Sequence, residues 1–175
     1  MNKLSVKQIV LAAFFLALGL ILPFFTMQIP SIGSMLLPMH IPVILCGFVC
    51  GGPLGAIVGF IVPLLRSALF TMPPMYPTAV AMAFELAAYG LISGILYNRL
   101  SKNVVNTYIS LVVAMLGGRV VWGIVSVILY GLASQGFTFA IFIAGAFTTA
   151  IPGIILQLVL IPAIVIALQK AHLID

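Results

Sequence analysis

The chain has 175 residues, of which 64% are hydrophobic and 5% charged, and its formal net charge is +5. This composition excludes a water-soluble globular domain. At about 20 residues per crossing of a ~30 Å hydrocarbon core, it leaves room for roughly six spanning helices and no soluble catalytic domain. The expected fold is all-α and integral to the membrane: one bundle of six transmembrane helices over residues 1–175.

Proline, glycine and polar clusters divide the chain into expected spans at 7–27, 38–50, 54–70, 78–97, 107–131 and 146–169. The first runs on from Lys7 with no small-residue cleavage site after a short apolar core. It therefore reads as a retained span, a cleaved signal being the alternative. Ala13 and Ala17 place small side chains one turn apart on it, which lets another helix approach closely in lipid. In the second span, Cys46 and Cys50 are four residues apart and share a face. They read as apolar packing residues, and no metal or cofactor is expected. Gly51, Gly55 and Gly59 at the third span and Ala79, Ala83 and Ala87 in the fourth repeat the small-residue pattern. Before the last span, Gly136-Phe137-Thr138-Phe139 reads either as a loop dipping into the membrane edge or as the start of a long helix kinked at Pro152.

Lys3, Lys7, Arg99, Lys102 and Lys170 all fall on the face that carries both termini, and no Lys or Arg falls in a loop on the other. Because basic residues are retained on the cytoplasmic side during insertion, both termini are expected there. The connections at 28–37, 71–77 and 132–145 then face outward.

Arg66, Glu85 and Arg119 stand alone inside apolar segments. A charge at membrane depth costs a few kcal/mol or more, so such residues normally face a protein interior and mark a ligand or ion path. Arg66 lies 12 residues beyond Leu54 and Arg119 lies 12 beyond Thr107, each on an outward-going helix. At ~1.5 Å per residue both reach ~18 Å above the inner boundary. Glu85, 7 residues past Thr78 on an inward-going helix, and Gln157, 12 before Gln169, come to nearly the same level. An ion pair between Glu85 and Arg119 leaves Arg66 without a counter-charge, because the other acid, Asp175, is the C-terminal residue. Two guanidiniums and one carboxylate leave about one positive charge. A small organic monoanion would balance it, and a guanidinium fork suits a carboxylate. The alternative is a structural salt bridge that only makes burial tolerable.

His40, between Pro38 and Pro42 at the outer end of the second span, reads as a hydrogen-bonding residue of the same cavity or as a satisfied interfacial histidine. Tyr89, four after Glu85, and Trp122, three after Arg119, share a face with their charged neighbours. They read as walls of a pocket or as core packing. Tyr76 and Met72-Pro73-Pro74-Met75 form a proline-stiffened outer segment placed like a lid. There is no G-x-x-x-x-G-K-[ST] loop, no H-E-x-x-H and no G-x-S-x-G, so neither ATP hydrolysis nor other catalysis is expected. No pair of matching halves supports the inverted-repeat design of secondary transporters.

Leu37-Pro38-Met39-His40-Ile41-Pro42-Val43, Pro63-Leu64-Leu65-Arg66-Ser67, Met72-Pro73-Pro74-Met75-Tyr76-Pro77-Thr78-Ala79 and Ala83-Phe84-Glu85-Leu86 with Tyr89-Gly90 resemble the substrate-binding S component of an energy-coupling factor (ECF) transporter. The similarity is greatest to the branch assigned to pantothenate and to vitamin precursors such as hydroxymethylpyrimidine. The resemblance implies a multi-pass protein of the prokaryotic plasma membrane with six helices and cytoplasmic termini. It implies a vitamin cavity near the outer face, where Arg66, Glu85, Arg119, His40, Tyr89, Trp122, Gln157 and Tyr76 are the candidate contacts. It also implies docking, through Ala13 and Ala17, onto a membrane scaffold subunit and two ATPase subunits, with toppling of the S component during transport. Partners are thus the vitamin, the coupling module and the bilayer, with no nucleic acid. Pantothenate is the expected ligand because it is a monoanion; hydroxymethylpyrimidine and pyridoxine would rest on Glu85 and aromatic stacking. A structural subunit without a ligand is the alternative of another class, and an autonomous channel or carrier a third.

Overall fold

Ser5 opens the first helix, α1 (Val6–Ile21). Its Oγ accepts the Gln8 amide while the Gln8 side chain accepts the Ser5 amide, a reciprocal cap. The computed structural model describes residues 5–26, 29–133 and 136–174. Lys3 and Asp175, which entered the charge argument above, lie outside them. Helix α1 tightens into a 3₁₀ turn over Leu22–Thr26. Then follow α2 (Pro30–Leu36), α3 (His40–Cys50), α4 (Gly52–Phe70), α5 (Val80–Arg99), α6 (Val104–Leu132), α7 (Phe139–Ile143) and α8 (Ile151–Lys170). Among the described residues all regular structure is helical. Six stretches are long and apolar enough to cross a membrane: Val6–Phe25, Ser31–Cys50, Gly52–Phe70, Met75–Arg99, Val104–Leu132 and Ile151–Lys170.

Two stretches differ from the sequence expectation. The connection expected at 28–37 is largely helical, so the second span is a broken helix, Ser31–Cys50, rather than 38–50. Leu37 takes a left-handed conformation (φ 51°, ψ 50°) between α2 and α3, and Pro38 after it disfavours continued right-handed helix. Pro42 costs α3 nothing, because it falls in the first turn, where backbone N–H groups have no intrahelical partner. His40 is therefore placed at the break inside a span, not at its outer end. In the segment left open at 132–145, a separate short helix, α7, runs into a wide turn over Ala144–Thr148. Pro152 then lies in the first turn of α8, so it starts that helix instead of kinking it.

Helix α3 is the centre of the bundle, every one of its residues except Val49 being buried. Helices α3, α4 and α5 pack on one another through glycines that remove the bulk between backbones. A methyl group on Gly90 would run into the backbone of Gly55, one on Gly94 would meet Gly52, and one on Gly55 would lie 2.8 Å from the Cα of Gly47. Gly51 makes the one-residue turn between α3 and α4 at φ 91°, a conformation side chains rarely adopt. The glycine series at the third span is thus used inside the molecule. Gly90→Val, which drives a branched side chain into backbone, is expected to cost about 3 kcal/mol, the upper part of the overpacking range. Thermal unfolding in detergent checks this, with Gly131→Val, where nothing lies within 4 Å of an added Cβ, expected to change little.

The start of α1, the ends of α3 and α5 and the segment after α8 meet around one recess, so both ends of the described chain share a face. The break in the second span and the 71–79 segment lie toward the opposite end, with Gly145 after α7.

Candidate functional site

Glu85 on α5 is enclosed from two sides. Arg119 Nη1 on α6 donates to its Oε1 at 2.7 Å, and His40 Nε2, from the break before α3, lies 3.5 Å from the same oxygen. All three side chains are buried. An ion pair in such surroundings persists because separating it would leave an uncompensated charge. Beyond the pair, Arg119 Nη2 and both His40 ring nitrogens lack a hydrogen-bond partner. A buried polar atom without a partner is costly, and such groups in native structures call for an explanation such as a ligand contact.

These residues form one wall of a cavity of about 520 Å³. Arg66 on α4 forms another part of its lining. Its Nη1 donates to the Leu20 carbonyl at 2.6 Å, and its guanidinium lies 5.0 Å from the ring centre of Phe24 and 5.3 Å from that of Phe70. Two aromatic faces and one carbonyl hold the cation without neutralising it. Among the described residues the sole carboxylate is that of Glu85, and it is paired with Arg119. The charges facing the cavity therefore sum to about one positive unit. Ser31, Ser34 and Thr78 add hydroxyls, while Pro38, Pro73, Met39, Met82 and Trp122 supply apolar surface. Trp122 is fixed from behind by Phe142, stacked at 6.0 Å, and by the edge of Phe137 at 5.6 Å. The size and the ratio of apolar wall to few polar groups are those of small-molecule sites.

Of the eight candidate contacts, five line this cavity: His40, Arg66, Glu85, Arg119 and Trp122. Tyr89 stands behind it, its ring edge-on to His40 at 5.2 Å, because four residues along α5 is a full turn away from the opening. Tyr76 points away: its extended backbone (φ −126°, ψ 134°) sends the hydroxyl to donate to the Leu129 carbonyl on α6 at 2.9 Å. Gln157 is fully buried, with neither amide atom partnered, and does not reach the cavity wall. Met72, Pro73 and Pro74 do line it, next to Pro23 at the end of α1. Ser31 and Ser34 go beyond the sequence reading, which places a connection where α2 stands.

The sequence model of the family described as ECF transporter, substrate-specific component, matches residues 7–165. The chain belongs to that family. It is accordingly a substrate-specific membrane subunit of an ECF transporter and a multi-pass protein of the plasma membrane. S components are substrate-binding transport subunits rather than enzymes, and they associate with a scaffold and ATPase module. No curated protein and no solved structure matches the chain. Ala13 and Ala17 are both exposed on α1, which buries only Ala12, Phe15 and Gly19 of its residues.

Proposed function

We propose that this S component captures pantothenate from the outer side, in the cavity between α2, α4, α5 and α6, and delivers it by toppling once docked on the coupling module. The observation that carries the reading is the guanidinium of Arg66, without a carboxylate partner among the described residues, in a cavity where the one described acid is already paired. A carboxylate beside Arg66 completes the charge balance and gains charge-assisted hydrogen bonds. At the other wall, His40, Glu85 and Arg119 Nη2 meet the hydroxyl and amide groups of such a ligand. Tyr89 holds the His40 ring, Tyr76 ties the proline-rich segment to α6, and Gln157 completes the polar layer from α8. All residues 1–175 act as one binding unit with cytoplasmic termini. A second reading is favoured by Trp122: its ring on the wall, facing the Glu85 layer, suits a neutral aromatic precursor such as hydroxymethylpyrimidine or pyridoxine.

A thermal-shift comparison in detergent separates the two. A ligand at 100 times its Kd stabilises the native state by about 2.7 kcal/mol, roughly 5–10 °C for a chain of this size. Pantothenate alone is expected to give it; a shift only with the neutral compounds would replace the substrate assignment.

Docking is assigned to the exposed face of α1. Ala13 and Ala17 form a shallow strip there between Val10 and Phe14, against which another helix can pack closely. Ala13→Trp is expected to leave vitamin affinity within about twofold, since no residue of α1 lines the cavity, and to abolish copurification with the scaffold and ATPase subunits. Copurification of the variant at the unaltered level would remove the assignment.

A further inference from the structure

At the end of the bundle opposite the vitamin cavity, the recess between α1, α3, α5 and the segment after α8 encloses about 640 Å³. Its charged lining is basic, Lys7 from α1 and Lys102 from the turn before α6, with the His172 imidazole after α8 beside them. A smaller cavity of about 300 Å³, lined by Lys102, Gln169, His172 and Ile174, continues it. The Lys102 ammonium lies 5.0 Å from the ring centre of Tyr97, whose hydroxyl accepts from Gln169 Nε2 at 2.7 Å, so the lysine is seated over the ring at the edge of the recess. No carboxylate stands at this end among the described residues. Ser5, Gln8 and Asn98 add neutral polar groups, and one side of the recess is apolar, from Leu11, Phe48, Val49 and Leu173.

We propose that this recess binds the phosphate of an anionic phospholipid from the cytoplasmic leaflet. Two lysines and a histidine around an apolar wall match a phosphodiester head joined to a glycerol and acyl chain. Cations that near an anionic leaflet are attracted to it, whereas a soluble phosphate has no use for the apolar side. The site rests on the orientation given above, with this end of the bundle inside the cell. It makes no use of the vitamin cavity. In the transporter, a lipid held here would keep α1 and the tail after α8 together at the leaflet in which the coupling module also lies.

The test is native mass spectrometry of the full chain in detergent, with phosphatidylglycerol and phosphatidylcholine supplied at equal concentration. Preferential retention of phosphatidylglycerol is expected. The double variant Lys7→Gln/Lys102→Gln is expected to lose it by about 30-fold, roughly fivefold for each cation near a lipid surface. Arg99→Gln/Lys170→Gln, which removes two cations from the same face but outside the recess, is expected to retain it. Equal retention of both lipids, or equal loss in both double variants, would overturn the site in favour of a diffuse surface charge. Displacement by millimolar inorganic phosphate would identify a soluble anion as the occupant and overturn the lipid assignment. A pantothenate thermal shift measured on the same variants keeps the two readings apart: its presence or absence in the parent protein bears only on the vitamin cavity.

Discussion

Arg66→Ala is expected to weaken pantothenate binding by about a hundredfold, the 2–3 kcal/mol of a hydrogen-bonded charge at a desolvated site. Binding of a neutral precursor, if one binds, is expected to change by no more than a few fold. The distinction follows from where the guanidinium sits. Arg119 is neutralised at 2.7 Å by Glu85, so its removal would change the shape and the pairing of the wall together. Arg66 has no acidic partner among the described residues, and its contacts are a carbonyl and two phenyl faces. Those contacts also tie α4 to the end of α1 through Leu20 and Phe24, so the alanine variant loosens that corner as well. Arg66→Lys separates the effects: it keeps the charge and the stem but loses the fork, and is expected to recover part of the affinity, about tenfold below the parent. Isothermal titration with both ligand classes reads the outcome. Equal losses for anion and neutral ligand would mean that Arg66 shapes the cavity and does not recognise charge.

The residues that could be read in advance are those whose environment is hostile to them. A guanidinium or carboxylate in an apolar run has few tolerable places, so Arg66, Glu85 and Arg119 had to share an interior, and the structure puts all three on one cavity. The six apolar stretches were legible for the same reason: in lipid, the backbone can satisfy its hydrogen bonds only as helix. Gln157 shows the limit. Rise per residue gives its height in the bundle but not its azimuth, and α8 is apolar nearly all round, so no stripe showed which way the amide points. Tyr89 shows another: sharing a helix face with Glu85 places it one turn deeper, behind His40 and not beside it. The broken second span was hidden because Pro38 reads as a boundary. What makes the break is the left-handed turn at Leu37, a conformation uncommon for that residue and held by the tertiary packing of α2 on α8, where a methyl on Gly153 would meet the carbonyl of Met35. The seat of Arg66 between Phe24, Phe70 and the Leu20 carbonyl joins positions 46 apart along the chain, which no local pattern encodes.

The pair at the cavity wall yields the second large effect, and a mutant cycle tells a structural salt bridge from a binding one. Glu85→Leu leaves Arg119 and its already unpartnered Nη2 buried without a counter-charge, and Arg119→Met leaves Glu85 in the same position. Each is expected to destabilise the protein by about 3–5 kcal/mol. The double variant Glu85→Leu/Arg119→Met removes both charges and fills the space, and is expected to lie within about 1 kcal/mol of the parent, or above it. Stability alone would thus make the pair dispensable. Binding should not follow stability. Pantothenate affinity is expected to stay at least tenfold below the parent in the stable double variant, because the His40 nitrogens lose their carboxylate neighbour and the ligand loses the Nη2 donor. The coupling energy from unfolding and that from titration then have different sizes. If the double variant regains both stability and affinity, the ion pair serves only to make two charges tolerable in the bundle, and recognition falls to Arg66 and the hydroxyls of α2. If it regains stability without affinity, the energy of burying the pair is retained because the ligand uses it.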